Sequence, residues 1–259
     1  MQTKNILLIT RAVRFSPGKG AAGDKAIMDA VAGRLAAMGL CCDTCSEEQL
    51  SIGQLSAAAV CASMGRDDGT LRLLSAAEQM GATVLNATAA VRLCNHRGEL
   101  TELLEREGIP VPPTTGSSGY WVKRADACSQ QSGDVVFAAT AGEAETAARQ
   151  MKTRGIGTTE TRANVDGRHV KFYGVSGTGF FRQYTDSSQA FDCPALETIA
   201  ARAAQTAGLD IYGGDCIVRP DGSPVIVDLN DWPSFAPCRD DAAMAIADRI
   251  VGEIERLRE

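Results

Sequence analysis

Residues 210 to 230 read DIYGGDCIVRPDGSPVIVDLN, and this stretch restricts the fold more tightly than any other in the chain. Two runs rich in Ile, Val and Leu, 210–218 and 224–230, flank RPDGS, whose Pro, Asp, Gly and Ser are turn formers. The pattern predicts a tight antiparallel hairpin. Yet Asp215 interrupts the first run, and Asp228 and Asn230 interrupt the second. Such groups are costly in an apolar interior unless something pairs with them. In antiparallel neighbours Asp215 and Asp228 can share a face, and Asn230, two residues from Asp228, shares it with them. Two carboxylates and an amide oxygen converging in this way suit a hard cation such as Mg²⁺, which takes its remaining ligands from water and phosphates. Asp215, Asp228 and Asn230 are therefore the candidate metal ligands, and Trp232-Pro233 ends the strand.

Upstream, strand and helix alternate. NILLIT (5–10) reads as a strand. A helix over 24–39 places Ile27, Ala30, Val31, Leu35 and Met38 on one face and stops at Gly39. Strands over 57–64 and 82–86 enclose a second helix, 70–81. This spacing implies a parallel sheet covered by helices, whose ligands meet the loops after the strands' carboxyl ends. Those loops carry Arg11, Arg14 and Arg66, which read as anchors for a substrate carboxylate or phosphate, or else as solvated loop arginines. GKGAAGDK (18–25) lacks the Lys-Ser/Thr pair of a phosphate loop and reads as a mobile loop running into a helix start.

After a helix from His96, PVPP marks a subdomain boundary. Strands then follow over 120–126 with Lys123, 135–140, 155–165 and 168–177 with Lys171, the last turning into 179–184 with Arg182. They predict a small, largely antiparallel sheet with one Ala-rich helix on it. A helix over 194–208 precedes the hairpin, and an amphipathic helix carrying Met244, Ile246, Ile250, Val251 and Ile254 closes the chain. Lys123, Lys171 and Arg182 could meet the phosphates of a metal–nucleotide complex. Each alone reads as well as a strand-edge charge whose tip snorkels to water; their order together with the acidic pair carries the nucleotide reading.

The net charge of −6 over 259 residues gives no basis for sequence-independent nucleic-acid binding. No apolar run approaches membrane-spanning length, and the start of the chain reads as a first strand and not as a signal peptide, so a cytoplasmic protein is expected. Among nine cysteines the one cluster, Cys41, Cys42 and Cys45, is half of a zinc site with no histidine nearby in sequence. It reads as reduced thiols near a strand.

The order strand–Lys, loop, hinge, strand–Lys, Arg, GGD, VDLN resembles the ATP-grasp superfamily, as does the approach through GIPVP. The resemblance spans essentially the whole chain. It implies an α/β fold with α+β subdomains: a parallel-sheet domain preceding the grasp (1–86), linker helices and a lid (87–165), and a second grasp subdomain with the metal site (166–259). It further implies that Lys123 contacts the α- and β-phosphates and that residues 129 to 133 form a flap over them. Arg162, Ala163, Asn164 and Val165 would form the hinge offering backbone groups to adenine, and Lys171 and Arg182 would act at the transferred phosphate. Arg97 stands where the family usually has Lys, Asp228 where many members have Glu, and the hinge lacks the usual Glu, leaving Glu160 or Asp166 for the ribose. ATP and Mg²⁺ are the implied cofactors, and a small-molecule carboxylate and an amine the implied substrates of a ligase. VDLNDWP and HVKFYGV are also similar to inositol polyphosphate kinases of the same superfamily. A small-molecule kinase, or a nucleotide-binding protein with weakened catalysis, are accordingly the alternatives. A homodimer through the first domain is expected by family analogy alone.

Overall fold

The computed structural model describes residues 5–16, 20–126, 131–185 and 189–258. Its strands fall into three sheets. The first contains β1 (Asn5–Thr10), β2 (Cys42–Ser46), β3 (Ala58–Ser63) and β4 (Thr83–Leu85), all parallel, in the order β2-β1-β3-β4. The connecting helices are α1 (Gly20–Ala37), α2 (Ile52–Ala57) and α3 (Asp68–Gln79). Ile6, Leu8, Val60 and Ala62 face Ile27, Met28, Val31 and Leu35 of α1, while Leu7, Ile9 and Cys61 face Leu74 and Ala77 of α3. Both faces of the sheet are thus covered, as its near-continuous apolar strands require.

Helices α4 (Thr88–Asn95) and α5 (Arg97–Arg106) lead to the second sheet, β6-β5-β7, made of β5 (Tyr120–Arg124), β6 (Val135–Ala138) and β7 (Thr159–Ala163). Helix α6 (Ala141–Thr153) covers one face through Ala144, Ala147 and Met151. The Thr140 hydroxyl caps it by accepting from the Glu143 N–H at 3.2 Å. The third sheet is antiparallel and ordered β10-β9-β8-β11-β12, from β8 (Arg168–Val175), β9 (Phe180–Thr185), β10 (Gln189–Ala190), β11 (Ile211–Val218) and β12 (Pro224–Asp231). Helix α7 (Pro194–Ala207) lies on one face and ends at Gly208, whose φ of 73° is the left-handed cap that glycine supplies without a Cβ clash. Leu100, Leu104 and Ile109 share a core with Leu196, Ala200 and Ile226, so α5 packs with the third sheet.

The chain's last helix, α8 (Arg239–Arg256), packs on α1 and places Ile246, Ile250 and Ile254 in the core of the first sheet. The DWPSF turn is therefore a joint between the two regions as well as the end of a strand. Trp232 and Phe235 are fully buried in that core although both are left-handed, at φ 41° and 50°. A left-handed non-glycine residue costs about 1–2 kcal/mol, which burying a large aromatic side chain offsets. Trp232 Nε1 donates to the Leu85 carbonyl at 3.1 Å. The Asn86 carboxamide bonds both ways across the same seam. Its Oδ1 accepts from the Asp210 and Ile211 N–H groups at 2.8 Å, and its Nδ2 donates to the Ile211 carbonyl at 2.7 Å. Asn86→Leu would take the acceptor from the Asp210 and Ile211 N–H groups, while the Ile211 carbonyl keeps the Trp232 N–H at 3.2 Å. It is expected to cost about 3 kcal/mol, lowering Tm by roughly 10 °C in a thermal melt.

Two local readings change. Helix α1 begins at Gly20, four residues before the expected start, and of the expected loop Gly18 and Lys19 lie outside the described residues. CCDTC is itself largely a strand, since Cys42–Ser46 pairs with β1. The eight described cysteines are free thiols. Among the described residues, no helix is long and apolar enough to cross a membrane.

Candidate functional site

Where the second sheet overhangs the third, a cavity of about 570 Å³ opens between β5, β7, α5 and the β11–β12 hairpin. Alternation along β5 turns Trp121 and Lys123 into it from one face. Lys123 Nζ donates to the Val227 carbonyl at 3.1 Å, and burial lowers its pKa although nearby Asp228 opposes the change. Arg97, the first residue of α5, reaches Asp228 Oδ1 at 3.4 Å. The hinge residues Arg162 to Val165 line the opposite wall, and Ile217 and Ile226 give the cavity an apolar floor.

The hairpin is antiparallel, with Asp215 opposite Asp228 and Gly213 opposite Asn230. A bulge falls between Asp215 and Cys216. The two glycines of GGD have a steric cause. A Cβ at Gly214 would lie 2.2 Å from the Asp228 carbonyl oxygen, and one at Gly213 would lie 2.8 Å from the Pro233 ring. Only glycine lets β11 pass this close to its neighbours. Asn230 Nδ2 donates to Asp228 Oδ2 at 3.0 Å. Asp215 Oδ1 accepts from Lys171 Nζ at 2.8 Å and lies 2.9 Å from His169 Nε2. Burial would raise the Asp215 carboxyl, but the hydrogen bonds from His169 and Lys171 outweigh it and hold the group below its ordinary range.

The structure thus gathers Arg97, Lys123, residues 162 to 165, Asp215 and Asp228 around one cavity, with Lys171 and Asn230 bonded to its two carboxylates. Its donor set fits a metal–nucleotide complex. Two carboxylates and an adjacent amide suit a hard cation, Lys123 and Arg97 suit phosphates, and the apolar wall suits a base. Glu160 lines the cavity and holds Arg162 Nε at 3.0 Å, whereas Asp166 accepts from Ser118 and Asn164 outside the lining.

Other expectations need correction. In the hinge, the N–H groups of Ala163 and Asn164 are committed to the Pro113 and Gly119 carbonyls at 2.8 Å, so they are not free for a base. The Arg162 side chain is held by Glu105 and Glu160 at 3.0 Å. Arg182 sits on β9 beyond the lining, over the Phe180 ring and 3.0 Å from Asp241. Nor do Arg11, Arg14 and Arg66 form an open anion site. Arg11 is bonded to Asp24 at 3.2 Å and to the Trp232 carbonyl at 3.1 Å, and Arg66 grips Asp231 at 2.6 and 3.3 Å. Arg14 is exposed between Glu48 and Asp67. Where their loops converge, the buried Glu47 carboxylate already accepts from the N–H groups of Ala12, Arg66 and Asp67. Of the expected flap, residues 129 and 130 lie outside the described residues, and 131 to 133 turn into the buried Asp134.

Sequence reasoning missed His169, Trp121 and Asp231. His169 was legible, since it stands two residues before Lys171 on one strand and so shares its face.

No protein-family model matches the sequence, and no curated protein matches it. Solved structures match it along nearly its whole length. A RimK-domain ATP-grasp protein from Sphaerobacter thermophilus aligns at TM-score 0.70 and 20% identity, over 96% of this chain and 100% of its own. The D-alanine–D-alanine ligase of Bacillus anthracis complexed with ATP aligns at 0.71 and 12%, over 100% and 99%. The ATP-grasp ligase PsnB, complexed with precursor peptide PsnA2 and AMPPNP, aligns at 0.69 and 16%, over 98% of each chain. The chain has the ATP-grasp fold, an α/β architecture with a parallel-sheet domain ahead of the grasp.

Proposed function

We propose, from an ATP-grasp fold and the cavity it builds, that this chain is an ATP- and Mg²⁺-dependent ligase activating a small-molecule carboxylate as an acylphosphate for attack by an amine. The observation that carries the reading is the cavity itself. A lysine and an arginine, two facing carboxylates and a hinge segment converge there from four separate parts of the chain. The matched ligases complexed with ATP and AMPPNP support the nucleotide.

Bound there, Mg²⁺-ATP supplies the phosphoryl group and the positive charge that its transfer needs. The chain contributes positioning and neutralisation. Lys123, which lines the cavity and donates to the Val227 carbonyl, would meet the phosphates from the lid sheet. Arg97 meets them from the start of α5. Asp215, Asp228 and Asn230 would hold the cation. Lys171, bonded to Asp215 at 2.8 Å, would turn its ammonium to the transferred phosphate. A kinase of polyphosphorylated acceptors would need many cations on the acceptor side. Arg11 and Arg66, expected there, are engaged by Asp24 and Asp231, which speaks against a polyphosphorylated acceptor.

Mg²⁺-ATP at 100 times its Kd is expected to stabilise the chain by about 2.7 kcal/mol, raising Tm by roughly 5–10 °C in differential scanning fluorimetry. An unchanged Tm at millimolar Mg²⁺-ATP would remove the basis of the proposal.

A further inference from the structure

We propose that His169 is a positioning residue that fixes Asp215 for the metal ion. This deepens the nucleotide-dependent reading above and rests on it. Two donors converge on a single oxygen of Asp215, with Lys171 Nζ at 2.8 Å and His169 Nε2 at 2.9 Å from Oδ1. The two donors stand two residues apart on β8, opposite Asp215 and Ile217 of β11. That arrangement clamps one oxygen of a carboxylate that lines the cavity.

The two donors are not equivalent. Lys171 and His169 are similarly exposed, at 41% and 50%, but Lys171 ends a flexible four-carbon stem, and an ammonium there is drawn to an incoming phosphate. Once it turns to the nucleotide it no longer holds the carboxylate. The imidazole of His169 is short and planar, and Asp215 Oδ1 is its recorded partner. It lines the cavity beside Asp215 and Ile217, so it remains as the fixture when the lysine leaves. Groups that bond a metal-ligating carboxylate set its orientation, and their loss costs about 10–100-fold in metal affinity.

The test measures Mn²⁺ uptake by electron paramagnetic resonance in the presence of AMPPNP, for the full chain, His169→Ala and His169→Gln. AMPPNP affinity in EDTA and melting in metal-free buffer are recorded alongside. His169→Ala is expected to raise the Mn²⁺ half-saturation concentration about 10-fold, with metal-free AMPPNP affinity and Tm unchanged. His169→Gln, whose amide N–H reaches toward the same oxygen, is expected to recover most of the loss and tests the idea even if the alanine variant folds poorly. Unchanged Mn²⁺ uptake in His169→Ala overturns the proposal. So does an equal loss of metal-free AMPPNP affinity, which would make His169 a nucleotide contact. A wild-type chain that binds neither AMPPNP nor Mn²⁺ overturns the proposed function itself, and the role of His169 with it.

Discussion

Asp231→Ala is expected to destabilise the chain by about 3 kcal/mol, because it takes from the buried Arg66 the carboxylate that its guanidinium grips, while Arg11 keeps Asp24 at 3.2 Å. Asp231 is fully buried. Arg66 reaches its two carboxylate oxygens at 2.6 and 3.3 Å, and Arg11 stands 3.9 Å away. Both guanidinium side chains are at most 10% exposed, so water cannot replace the lost partner. The damage would spread, since this cluster joins the loops after β1 and β3 to the DWPSF turn and so ties the parallel sheet to the grasp. Urea denaturation of the variant measures it. A loss below about 1 kcal/mol would place the pair in the range of exposed salt bridges. It would also return Arg11 and Arg66 to the role of substrate anchors.

Asp228→Ala has the largest expected effect on turnover. Asp228 sits in the cavity wall, taking the Asn230 amide at 3.0 Å and Arg97 at 3.4 Å. In its proposed role as a cation ligand, its loss should lower metal-dependent ADP formation at least ~10²-fold, comparable to deleting one preorganised charge-stabilising group from an active site. Its side chain is 20% exposed and away from the main cores, so circular dichroism should report an intact fold. Full activity in the variant would make the acidic pair structural.

The hairpin that carries Asp228 was legible because its signal is local. Apolar residues at β spacing, a turn of Pro, Asp and Gly, and a period of two fix which side chains share a face. Lys123 and Lys171 were placed beside the acidic pair only by their order along the chain and by the ATP-grasp resemblance. The local signal failed where the partner is remote in sequence. Arg66 and Asp231 are separated by 165 residues, and nothing around either one announces the other. Arginines on loops after parallel strands looked like anion anchors, whereas the fold spends two of them on its own seam. The hinge was legible as a segment but not in its free groups: whether the Ala163 and Asn164 N–H groups are free depends on Pro113 and Gly119, which the chain folds back against them. Strand β2 was hidden because it is a sheet edge with two exposed residues, Asp43 and Thr44, and lacks the apolar alternation of a buried strand.

The ligase claim is tested most directly by its products. The chain would be incubated with Mg²⁺-ATP and pairs drawn from amino acids and small carboxylic acids. ADP, inorganic phosphate and new masses would be measured together. The account predicts acceptor-dependent release of ADP and inorganic phosphate in equal amounts, with one amide formed for each. Phosphate retained on the acceptor, with ADP but no free phosphate and no amide, would contradict it.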